Sequence, residues 1–443
     1  MRRRFVARLE TILIAGVVLL PCGVVSAQQP PTGDVTVTSD FFPNRSRTGE
    51  LRARVFAEEV LDPTPRLLIT LSGVGEGLLA RRAGQPAPAH ISVDDAILRV
   101  VDASIDYKGP RFDLLAGVTR VAWGRLDELQ PTDVINPLDA SRFFFDSRSD
   151  ARLPVALVRV RGHLSERASL EGVYVPFFRR GRFDQLDEPT SPFNIESGFA
   201  PDTVTCLAIG CPTLLPVVIE RHEPSRSFAN AQGGARFNAT TGRIDWSVGA
   251  YRGFEPFGFG VVGIATPSAA SLPIDVMHPR FTMVGGDFET VRGQWGLRGE
   301  VAAVVDDNFQ GSSLRIVKGS SVDAGFGVDR KAGDYRVSVT ALVHREAYDE
   351  VISSAPRADR SRADISLILA GDRSFARERY RLQTFGVYNA NESSGFLRAT
   401  ATAKIRDNVA LEGSGGWFVG DGRDIVGRFA DSDFLYTRVK YYF

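Results

Sequence analysis

The chain has 443 residues, with 53 lysines and arginines against 53 aspartates and glutamates; a chain with no net charge has no bulk electrostatic attraction to nucleic acid. Its 43 glycines and 29 phenylalanines, set against three methionines, point to short strands punctuated by turns rather than to a helical core. After the amino-terminal segment no stretch approaches the about 20 continuous apolar residues of a spanning helix; this excludes a helical membrane bundle but not a barrel, whose strands need only every second residue to be apolar.

Residues 1–27 read as a secretory signal peptide. Arg2, Arg3, Arg4 and Arg8 precede an apolar run from Thr11 to Leu20, and Val25-Ser26-Ala27 supplies small residues at the cleavage position. The run is too short for a retained anchor, and Pro21 disfavours Cys22 as a lipoprotein cysteine. Residues 28–443 are then expected to form one outer-membrane barrel without a linker-like break.

The first strand is expected over Asp34–Phe42 and the next over Thr48–Val60, where Leu51, Ala53, Val55 and Ala57 alternate with Arg52, Arg54, Phe56 and Glu58. Leu67–Leu79 is a weaker strand. The connection at 122–153 is too long for a tight turn, and Pro131, Pro137, Asp133 and Asn136 fix bends and cap amides within it. It is expected to fold inward and line a constriction with Arg125, Asp127, Glu128, Asp133, Asp139, Arg142, Asp146 and Arg148, although the same residues would also serve to lock a loop to the barrel.

A second long connection, 177–231, is rich in Phe, Pro and charge and is expected on the extracellular side. Cys206 and Cys211 within it are expected to form a local disulfide, as is common in exported proteins. No metal site is expected there, because His222 and Glu223 are the only further ligands near and lack the usual spacing.

Further along, tight turns at Thr240–Arg243, Arg292–Gln294, Lys331–Asp334 and Arg406–Asn408 alternate with long connections at Glu255–Pro279, Asp306–Ser320, Arg345–Arg362 and Asp421–Ser432. Bacterial barrels have short periplasmic turns and long extracellular loops, so the alternation implies an antiparallel transmembrane β-barrel of about 18 strands, or about 16 if Leu67–Leu79 pairs irregularly. The chain closes on Asp433–Phe443, where Leu435, Thr437, Val439, Tyr441 and Phe443 oppose Arg438 and Lys440. A basic residue facing lipid at the midplane costs ~2–4 kcal/mol. The charged faces must therefore line the lumen, with Arg52, Arg54, Arg336, Arg379, Arg381, Arg398, Arg438 and Lys440 among them. Such a lining either favours anions or braces the wall against opposed carboxylates.

The string Trp123, Gly124, Asp127, Thr132, Asp133, Val134, Ile135, Asn136, Pro137 and Asp139 resembles the strand-loop junction of a group of porin-like outer-membrane proteins of Gram-negative bacteria. The resemblance implies a passive channel for small polar or amphipathic solutes, with no cofactor. Outer-membrane lipid, small solutes, other copies of the chain and the barrel-assembly machinery, engaged through the carboxy-terminal strand, are the partners it implies. The alternative is a non-conducting binding or envelope-assembly barrel that uses the 177–231 loop. His90, His163, His222, His278 and His344 fall in no nucleophile, HExxH or phosphate-loop motif, so no enzyme is expected.

Overall fold

The computed structural model describes residues 31–45, 47–82, 92–140, 145, 148–182, 203–205, 214–262, 271–311, 315–354, 357–421, 424 and 426–443. The signal segment 1–27 and both Cys206 and Cys211 lie outside the described residues.

In chain order the strands are β1 (Thr32–Phe41), β2 (Arg47–Thr64), β3 (Leu67–Arg82), β4 (Ser92–Lys108), β5 (Phe112–Thr119), β6 (Val155–Ser165) and β7 (Ala168–Val175). β8 (Thr203–Thr205), β9 (Leu214–His222), β10 (Gln232–Thr241), β11 (Ile244–Phe254), β12 (Phe259–Val262), β13 (Leu272–Met277), β14 (Arg280–Arg292) and β15 (Trp295–Gly311) follow. The last are β16 (Arg315–Ala332), β17 (Tyr335–Ser354), β18 (Arg357–Phe375), β19 (Tyr380–Asn389), β20 (Ser394–Arg406), β21 (Val409–Val419) and β22 (Phe434–Tyr442). One helical turn, α1 (Arg148–Ala151), lies between β5 and β6.

All but β8, β9, β12 and β13 belong to one 18-stranded antiparallel sheet, in the expected number. It closes on itself, because β22 pairs with β1 from Asp34↔Tyr442 to Phe41↔Leu435. Closure satisfies the backbone groups that an edge strand would leave open to lipid. The weak strand at Leu67 pairs along its length with β2 and β4, interrupted only by register shifts.

Side chains sort across the wall in the inverse of a soluble protein. Leu51, Val55, Val284, Val301, Val337, Leu369, Leu397, Leu435 and Val439 are exposed on the outside, whereas Glu50, Arg52, Glu76, Glu171, Asp287, Glu300, Glu412 and Arg438 are buried. An apolar belt around a closed sheet with a charged interior is the solution for a strand protein in a bilayer. Among the described residues no helix is long and apolar enough to cross a membrane. The chain is an outer-membrane β-barrel that crosses with its strands.

Two of the expected long connections are instead mostly strand. β15 and β16 are separated only by 312–314, and β17 and β18 only by 355–356. β17 has 20 residues, about twice the 9–11 that cross a bilayer, so the hairpins extend past the lipid. Beyond the lipid neither face has to be apolar, so the alternation that marks a strand in the sequence fades there while the backbone ladder continues. The tight turns fall where expected, with Gly242, Gly293 and Gly333 at φ of 63°, 63° and 60°, a region only glycine enters freely.

β8 and β9 come from the β7–β10 connection and β12 and β13 from the β11–β14 connection, and they form a separate four-stranded sheet in which β9 and β13 run parallel. It is tied to the barrel by Gln310 of β15, whose side chain accepts from the Gly260 amide and donates to the Gly260 carbonyl, each at 2.8 Å.

Candidate functional site

The segment between β5 and β6 folds into the lumen and reaches two separate parts of the far wall. Its first arm begins at Trp123, only 1% exposed, whose indole donates to Glu171 on β7 at 2.8 Å and meets the Tyr251 ring of β11 edge-on. Val121, Trp123 and Ile135 join Tyr251, Phe281 and Met283 in a core inside the barrel. Trp123 therefore packs inside the barrel and not against lipid.

The chain then turns at Gly124 (φ 88°) against Glu300 of β15. That carboxylate, 4% exposed, accepts from the Arg125 amide at 3.0 Å, the Leu126 amide at 3.3 Å, and the Thr132 amide and hydroxyl at 2.7 and 2.8 Å. One wall carboxylate thus gathers both sides of the loop's bend. Leu126 fills a notch left by two glycines of β16; a Cβ on Gly325 would stand 2.5 Å from its side chain.

The expected constriction residues fall into three groups. Arg125 pairs with Asp287 at 2.7 Å and Glu289 at 3.3 Å, and Asp127 accepts from Arg298 at 2.8 Å and Arg336 at 3.2 Å. Glu128 lines a cavity with Asp127. Asp133 and Asp139 are buried and hold the loop to itself and to the neighbouring wall: Asp133 pairs with Arg152 at 2.7 Å, and Asp139 lies 3.6 Å from Arg99 and 3.7 Å from Arg182. Arg142, Asp146 and the Arg148 side chain lie outside what the structure describes. Asn136, 3% exposed, pins the loop's base by accepting from the Val121 amide at 2.8 Å and donating to the Leu153 carbonyl at 2.8 Å.

The second arm carries Phe145 to β22, where its ring centroid lies 4.7 Å from Phe434 within a cluster that includes Phe42, Phe396 and Phe418. The described parts of the loop thus meet β15–β17 through one arm and β20–β22 through the other. Loop residues border a cavity of about 320 Å³ lined by Arg52, Arg54, Arg99, Arg120, Arg152, Arg438 and Lys440 against Asp34, Glu76, Asp139 and Asp150. They also border one of about 270 Å³ whose charges balance, Arg336, Arg381 and Arg398 facing Asp127, Glu128 and Asp372.

Seven of the eight expected lumen cations therefore border these two cavities. The exception is Arg379, which closes the β18–β19 turn with its guanidinium 5.7 Å from the Tyr380 ring centroid. The turn occupies Ala376–Arg379, so Arg379 ends the hairpin instead of standing on a strand of the wall; Arg379 and Arg381 flanking Tyr380 resemble strand alternation in the sequence. Several wall cations are paired: Arg54 with Asp34 at 3.4 Å, Arg381 with Asp372 at 3.3 Å, and Arg438 with Glu412 at 3.2 Å. Glu171, Arg99 and the Gly325–Gly327 notch are partners that sequence reading did not find. Inward alternation marks Glu171 and Arg99 as lumenal, but nothing in their spacing says what meets them.

Residues 100–385 match the model of a family described as a protein of unknown function, DUF1302. No curated protein matches the chain in sequence. Among solved structures the chain is similar to OccAB4 of Acinetobacter baumannii, at 10% identity over 94% of this chain and 98% of that one, with a TM-score of 0.46. It is likewise similar to OccD3 (OpdP) of Pseudomonas aeruginosa, at 9% identity over 95% and 92% with a TM-score of 0.47. OmpT of Vibrio cholerae, an outer membrane protein in a trimer form, is similar at 11% identity over 94% and 100%, with a TM-score of 0.38.

Proposed function

We propose, from the premise that this chain belongs to the DUF1302 family, that it is a porin-like channel through which small polar or amphipathic solutes diffuse passively across the outer membrane, with the 122–153 loop as its constriction. The observation that carries the reading is the anchoring of that loop at two separate places inside the barrel, at Glu300 and at Phe434, with two charged cavities bordered by its residues. A loop serving only as a rim brace has no need to reach β16 or β22. Selection then rests on size and field, without covalent chemistry.

The larger basic share in the cavity beside β1–β4 favours anions: seven cationic side chains face four carboxylates there. The short turns are assigned to the periplasmic rim and the four-stranded sheet to the extracellular one. Recognition of β22 by the barrel-assembly machinery and association into homo-oligomers are part of the same proposal.

The test is single-channel conductance of the refolded barrel in a planar bilayer under a salt gradient, beside a form lacking Leu126–Asp146. Conductance steps that grow on deletion support a pore narrowed by this loop, and the reversal potential reads its charge preference. A folded barrel that is silent in both forms would sink the channel and leave the binding or assembly role.

A further inference from the structure

Outside the barrel, the parallel pairing of β9 with β13 brings Asp275 to Glu220 and His222, more than fifty residues earlier in the sequence. Glu220 and His222 stand two apart on β9 and so share a face. Asp275 of β13 is aligned with Glu220 in the ladder and projects to that same face. One ligand atom from each residue lies within 4.8 Å of the other two, and the imidazole Nε2 is 2.8 Å from an Asp275 carboxylate oxygen.

Two features point to a cation there. Aligned carboxylates on neighbouring strands repel, and this alignment places Glu220 against Asp275 with His222 beside them. The spacing also suits a small transition-metal ion: zinc bonds of about 2.0–2.2 Å to nitrogen and oxygen put tetrahedral ligands about 3.4 Å apart, so a modest rotamer adjustment closes the set. The donors are open to solvent, with Glu220 exposed and His222 and Asp275 at 49% and 31% of the side chain, which leaves room for water to complete the coordination.

The geometry points to a zinc-class divalent metal site formed by Glu220, His222 and Asp275 that fastens the β7–β10 connection to the β11–β14 connection. One imidazole with two carboxylates suits Zn²⁺, Co²⁺ or Ni²⁺ better than Ca²⁺, which takes six or more oxygens. Binding locks a sheet already tied to β15 through Gln310, and thus steadies the cover over one rim of the barrel. No metal is expected beside Cys206 and Cys211, where His222 and Glu223 lack the usual spacing; the set described here uses neither cysteine, and its Asp275 arrives from the other connection.

The test uses the refolded full-length barrel, stripped with chelator and titrated with Zn²⁺ by calorimetry and with Co²⁺ by visible absorption. Heat-modified mobility on gels confirms that each variant retains the barrel. One zinc per chain is expected, weakened at least tenfold by His222→Ala and by Asp275→Asn and unchanged by His163→Ala, with slower protease cleavage in the 214–222 and 272–277 segments when zinc is present. Absence of zinc uptake, or uptake that survives both site substitutions, overturns the proposal.

Discussion

Gly124 runs so close to Glu300 that a Cβ on it would stand 2.5 Å from the carboxylate Oε1. The glycine of the Trp-Gly pair is thus required twice, by its φ of 88° and by a wall residue far away in sequence. The contact lets the Arg125, Leu126 and Thr132 amides reach one carboxylate, which holds the loop across the lumen.

Gly124→Ala and Glu300→Gln should each loosen this anchor. Leaving buried amides without their charged acceptor costs about 1–3 kcal/mol, and the alanine adds strain at positive φ. Larger and noisier single-channel steps are expected, with the barrel still folded on heat-modified gels. Unchanged conductance in both variants would mean that this arm does not limit the pore.

The cavity beside β1–β4 should set ion preference through its net positive lining. Lys440, 3.7 Å from Glu412, borders that cavity, and Lys440→Glu reverses one charge there. The reversal potential in a potassium chloride gradient should move toward cation preference, with the shift shrinking as salt rises and the Debye length falls. No movement at low salt would place the conducting path elsewhere.

The Glu255 carboxyl, in the connection after β11, is pushed from its ordinary 4.5 up to about 8, chiefly by burial and then by Asp307, with Lys318 opposing. A raised carboxyl favours folding while protonated, so its contribution is complete below pH about 4.5 and is lost as pH rises through about 8. Protease cleavage within 255–279 should accelerate across that window, and Glu255→Gln should flatten the profile. A wild-type profile flat from pH 5 to about 8.5 would contradict the assignment.

Outward and inward substitutions on one strand should differ in kind. Val301 faces lipid at 47% exposure, so Val301→Arg should cost ~2–4 kcal/mol if it lies near the midplane and should lower the yield of folding into vesicles. Ala302→Ser, on the buried side of the same strand, should fold normally. Equal yields for the two variants would mean that the apolar belt has been assigned to the wrong face.

Much of the barrel was legible because a membrane strand has to write its environment into every second residue. Leu435, Val439 and Tyr441 against Arg438 and Lys440 state both the strand and its facing, and the tight glycine turns state the hairpins. Where lipid no longer imposes that rule, in the parts of β15–β18 beyond the membrane, strand has the residue pattern of loop. The conformational demands of the 122–153 segment were likewise visible, since Asn136, Pro137 and Asp133 are residues that bend and cap a backbone.

What the tertiary structure decided is which distant groups answer those demands. Glu300 meeting Gly124, Leu126 entering the Gly325–Gly327 notch, Phe145 reaching Phe434 and Asp275 aligning with Glu220 all join segments far apart in the chain. Alternation fixes which side of the wall a residue faces, because its period is a property of the local backbone. It carries no information about which strand stands across the lumen; that follows from the closure, tilt and stagger of the whole sheet.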